Sequence, residues 1–246
     1  MKSYLHIVDE LRAPCSEAGF DLIQPLAVGW YNDCVEGALR LEDFGASAHL
    51  AVVIGNTRAL WPRFCDAARR DPALLALEHP LEAYTERSIT RAVQALGIPG
   101  SLRWSHEVGE RLVAMQRLAH VAGLAYLSDS HLSVHPTFGP WIGLRAAVSF
   151  PAPGPSCRPP ELGHPCGSCR DRCLPAFERA LAAAHGQLTP AAARADWKLW
   201  LACREACPTG REHRYGDAQL RYHYSKDFES LRRECLDRAD GTESYS

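Results

Sequence analysis

A proline-rich segment divides this sequence into two parts of different character. Six of the residues from 151 to 165 are proline, and proline continues neither a helix nor the interior of a sheet. Before this segment, strand-like and helix-like apolar patterns alternate, whereas five of the ten cysteines crowd into residues 166–207. The length of 246 residues suits one large domain, or one and a half. We therefore predict a core over residues 1–150, followed by an extended connector and a Cys-rich helical segment over residues 151–246.

Charge and composition exclude several classes of partner. The chain has 27 Lys and Arg against 29 Asp and Glu, a net charge of −2, so it has no basic field for nucleic acid and no polybasic tract for a membrane. Its longest apolar runs, such as residues 50–54, are far shorter than the roughly 20 residues that cross a bilayer. The N-terminus mixes acidic and basic residues, unlike a signal peptide. These features predict a soluble cytoplasmic protein, monomeric or homodimeric.

Apolar periodicity predicts an α+β fold. The alternation of helices and strands lacks the strict rhythm of parallel βαβ units. Helices are predicted over residues 4–18, 58–68, 81–96, 109–126, 175–185 and 189–206, and strands over 20–31, 48–54, 102–104, 131–134 and 141–150. Thr189 is the predicted N-cap of the last helix, with Pro190 at its first position.

Five cysteines have the spacing of metal ligands: Cys166, Cys169, Cys173, Cys203 and Cys207. The first three lie within eight residues, and Gly167 between them lets the backbone fold around an ion. The last two lie one helical turn apart and share a helix face. Pro208 follows directly, a Cys-Pro pair like the one in bacterial ferredoxin motifs. The pattern predicts one [4Fe-4S] cluster held by four of the five cysteines, with structural zinc or metal-free thiols as the alternatives. Cys157, in the proline-rich segment, is a further candidate for this group. The other four cysteines, Cys15, Cys34, Cys65 and Cys235, are predicted to be isolated and buried.

The helix over 109–126 and the loop after it contain candidate ligand-binding residues. His120 stands alone among apolar residues, a pattern as typical of a core histidine as of a ligand contact. Tyr126 opens a polar-aromatic loop that also contains His135. Gly139 would let the backbone approach a flat ligand closely, and Trp141 could stack on that ligand.

Three further positions suggest recognition of an anion. Arg145 lies in an otherwise apolar strand, so it requires a buried partner, clamps an anion, or extends its charged end to solvent. Arg204 and Tyr215 belong to a late polar-aromatic stretch that suits a small anionic ligand. Trp30, just beyond a strand, is either a ligand wall or a packing corner.

Four segments resemble the cobalamin-processing CblC (MMACHC) family: AGFDLIQPLAVGWYND (18–33), LAHVAGLAYL (118–127), SVHPTFGPWIGLRAAV (133–148) and REACPTGREHRYGDAQLRYHY (204–224). The resemblance implies a flavin-nitroreductase-like α+β fold, with an antiparallel sheet flanked by helices. It implies that cobalamin binds in the base-off state. The chemistry implied is removal of the upper cobalt ligand, by reductive decyanation or by alkyl transfer to glutathione.

The same resemblance assigns roles to individual residues. His120 matches a cobalamin-contacting histidine and Ser130 a serine of the cofactor pocket. Arg145 and Arg204 match two arginines associated with glutathione, and Tyr215 matches the tyrosine that follows the second of them. The sequence departs from the family pattern at positions 127 and 140.

The cysteines are a larger departure from that family. CGSC and CPTG resemble epoxyqueuosine reductases, related corrinoid-dependent enzymes that use iron–sulfur clusters. We therefore predict a cobalamin-processing oxidoreductase with a cluster that supplies electrons, served by an electron-donor protein, by FMN or by glutathione; no catalytic residue is assigned. The alternatives are a cobalamin carrier with structural zinc, an epoxyqueuosine-reductase-like enzyme, and a flavin protein without a corrinoid.

Overall fold

The structure is a computed structural model that describes residues 2–163, 165–166, 169–187 and 189–236. The helices are α1 (Tyr4–Glu17), α2 (Val28–Asn32), α3 (Leu60–Arg70), α4 (Pro80–Ala95), α5 (Met115–Val121), α6 (Arg170–Ala183), α7 (Pro190–Ala195), α8 (Trp197–Glu205), α9 (Asp217–Ser225) and α10 (Phe228–Leu236). The strands are β1 (Leu22–Ala27), β2 (His49–Asn56), β3 (Ser101–Trp104), β4 (Tyr126–Leu127), β5 (Ser133–Val134) and β6 (Gly143–Pro153).

A four-stranded antiparallel sheet lies at the centre of the molecule. Its strand order is β1-β2-β6-β3, and each neighbouring pair is antiparallel. Pro25 lies in the edge strand β1, where its missing N–H does not interrupt a second ladder. The predicted antiparallel sheet flanked by helices is confirmed.

Helices cover both faces of this sheet. Alternate residues of β2 point in opposite directions, so Val52 packs on the side of α1, α3 and α4, while Val53 packs on the side of α2 and α5. Helices α9 and α10 add Tyr222 and Leu231 to the first of these two clusters. The last two described helices therefore share a core with residues of the first 150, and a domain boundary at residue 150 stays a prediction.

The predicted helix over residues 109–126 is wrong in length. Gly109–Arg111 forms one 3-10 turn, and α5 covers only Met115–Val121. Gly123 has φ +73°, a left-handed conformation that ends helices, and the chain then enters β4. The predicted helix over 189–206 is also divided, at Asp196, although Thr189 caps it as expected by accepting a hydrogen bond from the amide of Ala192.

A disulfide joins α3 to α10. Cys65 and Cys235, 170 residues apart in sequence, are bonded to each other and almost completely buried. The prediction that these two cysteines are isolated was therefore wrong. The disulfide fixes the end of the described chain to the helical layer formed by its first third.

No described helix combines the length and apolar character needed to cross a bilayer.

Candidate functional site

A short hairpin between α5 and β6 organises most of the predicted site. Strands β4 and β5 pair antiparallel, with Tyr126 opposite Val134. The amide of Ser128 donates to the carbonyl of Leu132 at 2.9 Å and closes the turn. The predicted polar loop is thus an ordered structure, and its two sides face different groups of candidate residues.

His120 is exposed on α5, beside this hairpin. Its Nδ1 accepts a hydrogen bond from the backbone amide of Leu127 at 3.3 Å, and its ring meets the edge of Tyr126. An Nδ1 that accepts leaves the proton of the neutral ring on Nε2. Because Nε2 has no partner among the described residues, His120 presents an N–H donor to any ligand that covers α5.

A cavity of about 260 Å³ lies next to this face of α5. Gln116 lines the cavity and lies one helical turn before His120, so both side chains share one side of the helix. The remaining lining comes from the end of β3, the start of α5, the hairpin, the chain into β6 and the last third of the chain: Ser105, Met115, Leu132, Ser133, Pro140, Ile142, Leu144, Arg204 and Tyr224. Arg204 therefore lines the cavity itself, and His120 lies outside it, one helical turn beyond Gln116.

Arg145 is the extra residue of a β-bulge in β6. Ala146 pairs with Ile54 and Leu144 pairs with Gly55, which leaves Arg145 without a partner position on β2. Bulges redirect a side chain out of the regular alternation. The Arg145 Nε donates to Oδ1 of the fully buried Asn56 at 2.6 Å, and burial lowers the pKa of the guanidinium. The predicted buried partner is therefore a neutral amide, which leaves the positive charge available to an anion.

Arg204 connects α8 to the segment that precedes β6. Its Nε donates to the carbonyl of Pro140 at 2.7 Å and its Nη2 to the carbonyl of Ile142 at 2.9 Å. Its guanidinium carbon lies 5.0 Å from the ring centroid of Trp141 and 5.1 Å from that of Tyr215. Trp141 is only 1% exposed, so it packs on these groups of the chain itself and is not open for stacking on a ligand, contrary to expectation.

The two arginines belong to one positively charged region. Burial, followed by Arg145, Arg204 and Lys226, holds the pKa of His223 well below its usual range. Burial raises the pKa of the neighbouring Tyr215 hydroxyl. His223 and Tyr215 stay neutral, and Glu82, which is paired with Lys226, is the carboxylate that acts on Arg145. Three cations against this one carboxylate leave a net positive charge, so the region favours an anionic ligand.

The structure brings the clustered cysteines together. Cys166, Cys173, Cys203 and Cys207 are buried, and Cys169 is partly buried. The thiol of Cys203 donates to the carbonyl of Cys173 at 3.6 Å, across the contact between α6 and α8. Burial and then the neighbouring Cys169, Cys173 and Cys207 raise the pKa of Cys166 to about 11, and burial with Cys173 raises that of Cys203 to about 11. With no metal bound, these two thiols therefore favour the protonated form.

These cysteines line the second side of the hairpin. Ser130 is 2% exposed, and its hydrogen bond to Cys203 acts to lower the pKa of that thiol, whereas the charge of Asp129 acts to raise the pKa of Cys166. Leu132 packs against Cys173 and Cys203. Gly167, predicted to let the backbone fold around an ion, lies outside the described residues. Within the described ranges, no group of three or more His, Cys, Asp or Glu is arranged to hold a metal ion.

Gly139 allows a close approach of the chain to itself. It has φ +55°, and a Cβ at this position would overlap the carbonyl oxygen of Thr209. Gly210 meets the backbone of Phe138 in the same crossing. The backbone that approaches Gly139 is therefore the segment after Cys207 and not the predicted flat ligand.

His135 and Trp30 have local partners. The Nδ1 of His135 accepts from the amides of Thr137 and Phe138 at 3.0 and 3.2 Å, and burial lowers its pKa. Trp30 is half-buried and faces the proline-rich connector, with the guanidinium carbon of Arg158 at 5.6 Å from its ring centroid. Both residues stabilise the chain around the site, and a ligand contact for either stays a prediction.

Sequence reasoning missed several residues of the positively charged region. Asn56 ends the buried strand β2, and an asparagine at such a position signals a fixed polar partner. Lys226 is paired with Glu82 at 2.9 Å across 144 residues. Nothing local in the sequence indicates that contact or the position of His223 beside Arg145.

The fold is that of CblC-type proteins. The crystal structure of a B12-trafficking protein CblC from C. elegans, described as a homologue of human MMACHC, matches with a TM-score of 0.68 at 16% identity, over 96% of each chain. The epoxyqueuosine reductase from Streptococcus thermophilus matches with a TM-score of 0.51 at 11% identity, over 92% of this chain and 79% of the reductase.

The amino-acid sequence is also similar to that of a human protein. The chain is 26% identical over 166 residues to the human protein named cyanocobalamin reductase / alkylcobalamin dealkylase. That match spans 60% of this chain and 58% of the length of the human protein. No protein-family profile matches the sequence. The resemblance to cobalamin-processing proteins is confirmed.

Proposed function

We propose that this protein is an enzyme that binds cobalamin as its substrate and removes the upper ligand of cobalt. The observation that carries the proposal is the exposed His120 on α5, one helical turn from Gln116, which lines a cavity that also reaches Arg204. The similarity to the human reductase and dealkylase supports the same reaction class. We also propose that the fold is nitroreductase-like and that the protein is cytoplasmic.

His120 would bind the corrinoid as a hydrogen-bond donor. With Nδ1 accepting from Leu127, its Nε2–H suits the amide oxygens at the rim of a corrin ring better than the cobalt itself. Gln116 and Tyr126, on the same side of α5 and the hairpin, would complete the polar contacts. Ser130 and its hairpin would form the wall between the corrin and the cysteines.

Arg145 and Arg204 would bind a thiol co-substrate such as glutathione through its carboxylates. Arginine is suited to this role because its planar fork matches a carboxylate. Upper-ligand removal then follows one of two routes. In dealkylation, the thiolate takes the alkyl group and leaves the electron pair of the cobalt–carbon bond on cobalt. In decyanation, an external reductant supplies the electrons and cyanide departs.

Replacing His120 tests corrinoid binding. We expect His120→Ala to weaken binding of cobalamin by about fivefold, since one hydrogen bond contributes about 1 kcal/mol. The shift of the visible spectrum that accompanies displacement of the lower base reports the binding in a titration. His79→Ala is the matched control, because His79 is also exposed and lies at the start of α4. If the unaltered protein gives no spectral change with cobalamin, the proposed function is wrong.

We propose that four of the clustered cysteines hold an iron–sulfur cluster, although the described residues are not arranged as a metal site. Four buried thiols beside a polar hairpin provide the sulfur ligands that clusters require, and a cluster supplies single electrons when bound. Because these thiols are buried, a cluster bound to them would be shielded from solvent. A zinc-holding cobalamin carrier is the competing proposal, and it has the same ligands but no electrons to transfer.

Anaerobic reconstitution with iron and sulfide separates these proposals. We expect a broad visible absorption, about four iron and four sulfide per chain, and loss of both in Cys203→Ser. Cys34→Ser is the control, because Cys34 is exposed and outside the cluster. One zinc per chain with no bound sulfide would favour the carrier. Retained flavin in the same preparation would favour FMN as the electron source, whereas reduction only with an added partner would favour a donor protein.

A further inference from the structure

A second cleft lies in the helical layer that covers the other face of the sheet. Its volume is about 660 Å³, within the range of small-molecule sites. It is bounded by α1, the end of α3 and α4, and it shares no lining residue with the cavity beside His120. The lining residues are Pro14, Glu17, Ala18, Ala67, Arg70, Asp71, Leu74, Tyr84, Arg87, Ser88 and Arg91.

Tyr84 gives this cleft a fixed inner wall. Its ring packs against Phe20 and Phe64 of the core, with centroids 6.1 and 5.6 Å away. Its hydroxyl donates to the carbonyl of Ala18 at 2.9 Å. This hydrogen bond and the packing of the ring fix the position of the side chain. A ligand would therefore meet a prearranged surface.

Arginines gather at the rim. Arg87 and Arg91 lie one turn apart on α4, and Arg70 faces them from the end of α3. Arg87 is paired with Asp71 at 3.4 Å. Arg70 and Arg91 have no carboxylate partner among the described residues. Glu17 is the remaining acidic residue of the lining, so the cleft is positively charged overall.

The pKa of Tyr84 reflects the positive charge of these arginines. Burial raises the pKa of Tyr84, and the cations Arg70, Arg63 and Arg91 act against that rise. Three guanidinium groups on two helices thus lie within electrostatic range of one hydroxyl. Two of them line the cleft itself.

We propose that this cleft binds a small organic phosphate of nucleotide size. A phosphate monoester carries close to two negative charges, which several guanidinium groups satisfy better than they would a single carboxylate. The apolar side chains of Pro14, Ala67 and Leu74 offer a surface for the organic part of the ligand. Arg70 and Arg91 hold the phosphate, and Tyr84 supports it from below.

Calorimetric titration with AMP tests the proposal, with adenosine and inorganic phosphate as comparisons. We expect AMP to bind more tightly than either part alone, and at least tenfold more weakly to Arg70→Gln/Arg91→Gln. The control is Arg179→Gln/Arg233→Gln, which removes the same charge from exposed positions on α6 and α10. Circular dichroism verifies that both variants fold.

Three outcomes would overturn the proposal: no heat with AMP at millimolar concentration, equal affinity for AMP and adenosine, or equal loss in the two double variants. Phosphate binding as tight as AMP would also contradict it, because the apolar surface would then have no role. None of these outcomes depends on whether cobalamin binds beside His120.

Discussion

Gly139→Ala is expected to lower the free energy of unfolding by about 4 kcal/mol. The left-handed backbone at φ +55° costs alanine about 1–2 kcal/mol. The added Cβ would also overlap the carbonyl of Thr209, and overpacking against backbone adds about 1–3 kcal/mol. Urea unfolding followed by circular dichroism measures the sum. Because this crossing holds the segment after Cys207 against the loop between β5 and β6, cluster reconstitution should fail in the same variant.

Gly109→Ala separates the two contributions. Gly109 has φ +65°, similar to that of Gly139, but a Cβ there would meet no atom within 4 Å. This variant is therefore expected to lose only about 1–2 kcal/mol. If the two variants were equally destabilised, the close crossing at Thr209 would not exist in solution.

Arg204→Ala is expected to lower the free energy of unfolding by about 3–5 kcal/mol and to remove thiol-dependent activity. The guanidinium makes two hydrogen bonds to the carbonyls of Pro140 and Ile142, each contributing about 1.5–3 kcal/mol because the donor is charged. It also stacks on Trp141 and Tyr215. Arg204→Lys keeps the charge but not the planar fork, so an intermediate loss of stability is expected. Chemical unfolding and a glutathione-dependent dealkylation assay measure the two effects.

Arg214→Ala is the matched comparison. Arg214 forms two ion pairs, with Glu205 and Asp217, but all three side chains are well exposed. Exposed ion pairs contribute little because water screens them, so a loss below about 1 kcal/mol is expected. A larger loss at Arg214 than at Arg204 would show that the buried contacts of Arg204 are not made.

Local patterns predicted the central part of the fold. The buried apolar runs of β2 and β6 and the Thr189 cap are visible in the sequence because they depend on neighbouring residues alone. The length of α5 was overestimated because apolar spacing continues through Gly123, whose left-handed backbone ends the helix. Periodicity does not report such a change of backbone conformation.

The site depends on contacts between distant residues. The disulfide between Cys65 and Cys235 and the crossing of Gly139 with Thr209 each require two segments far apart in sequence. The residues carried over from the family resemblance include His120, whose tautomer depends on the amide of Leu127. Single-residue reasoning assigned Trp141 to a ligand because it could not reveal that Arg204 already occupies its face.

Because Arg145 is the extra residue of a bulge, its charge is not needed for the pairing of β6 with β2. Leu144 packs toward the side of α2 and α5, and Ala146 packs toward the opposite side, as adjacent residues of an uninterrupted strand would. Omitting the intervening position would therefore leave both neighbours facing their present partners, whereas a deletion elsewhere in the strand would invert every residue beyond it. A related protein could thus lose Arg145 and still form the same sheet. A similar fold would therefore not by itself indicate that the anion-binding function is retained.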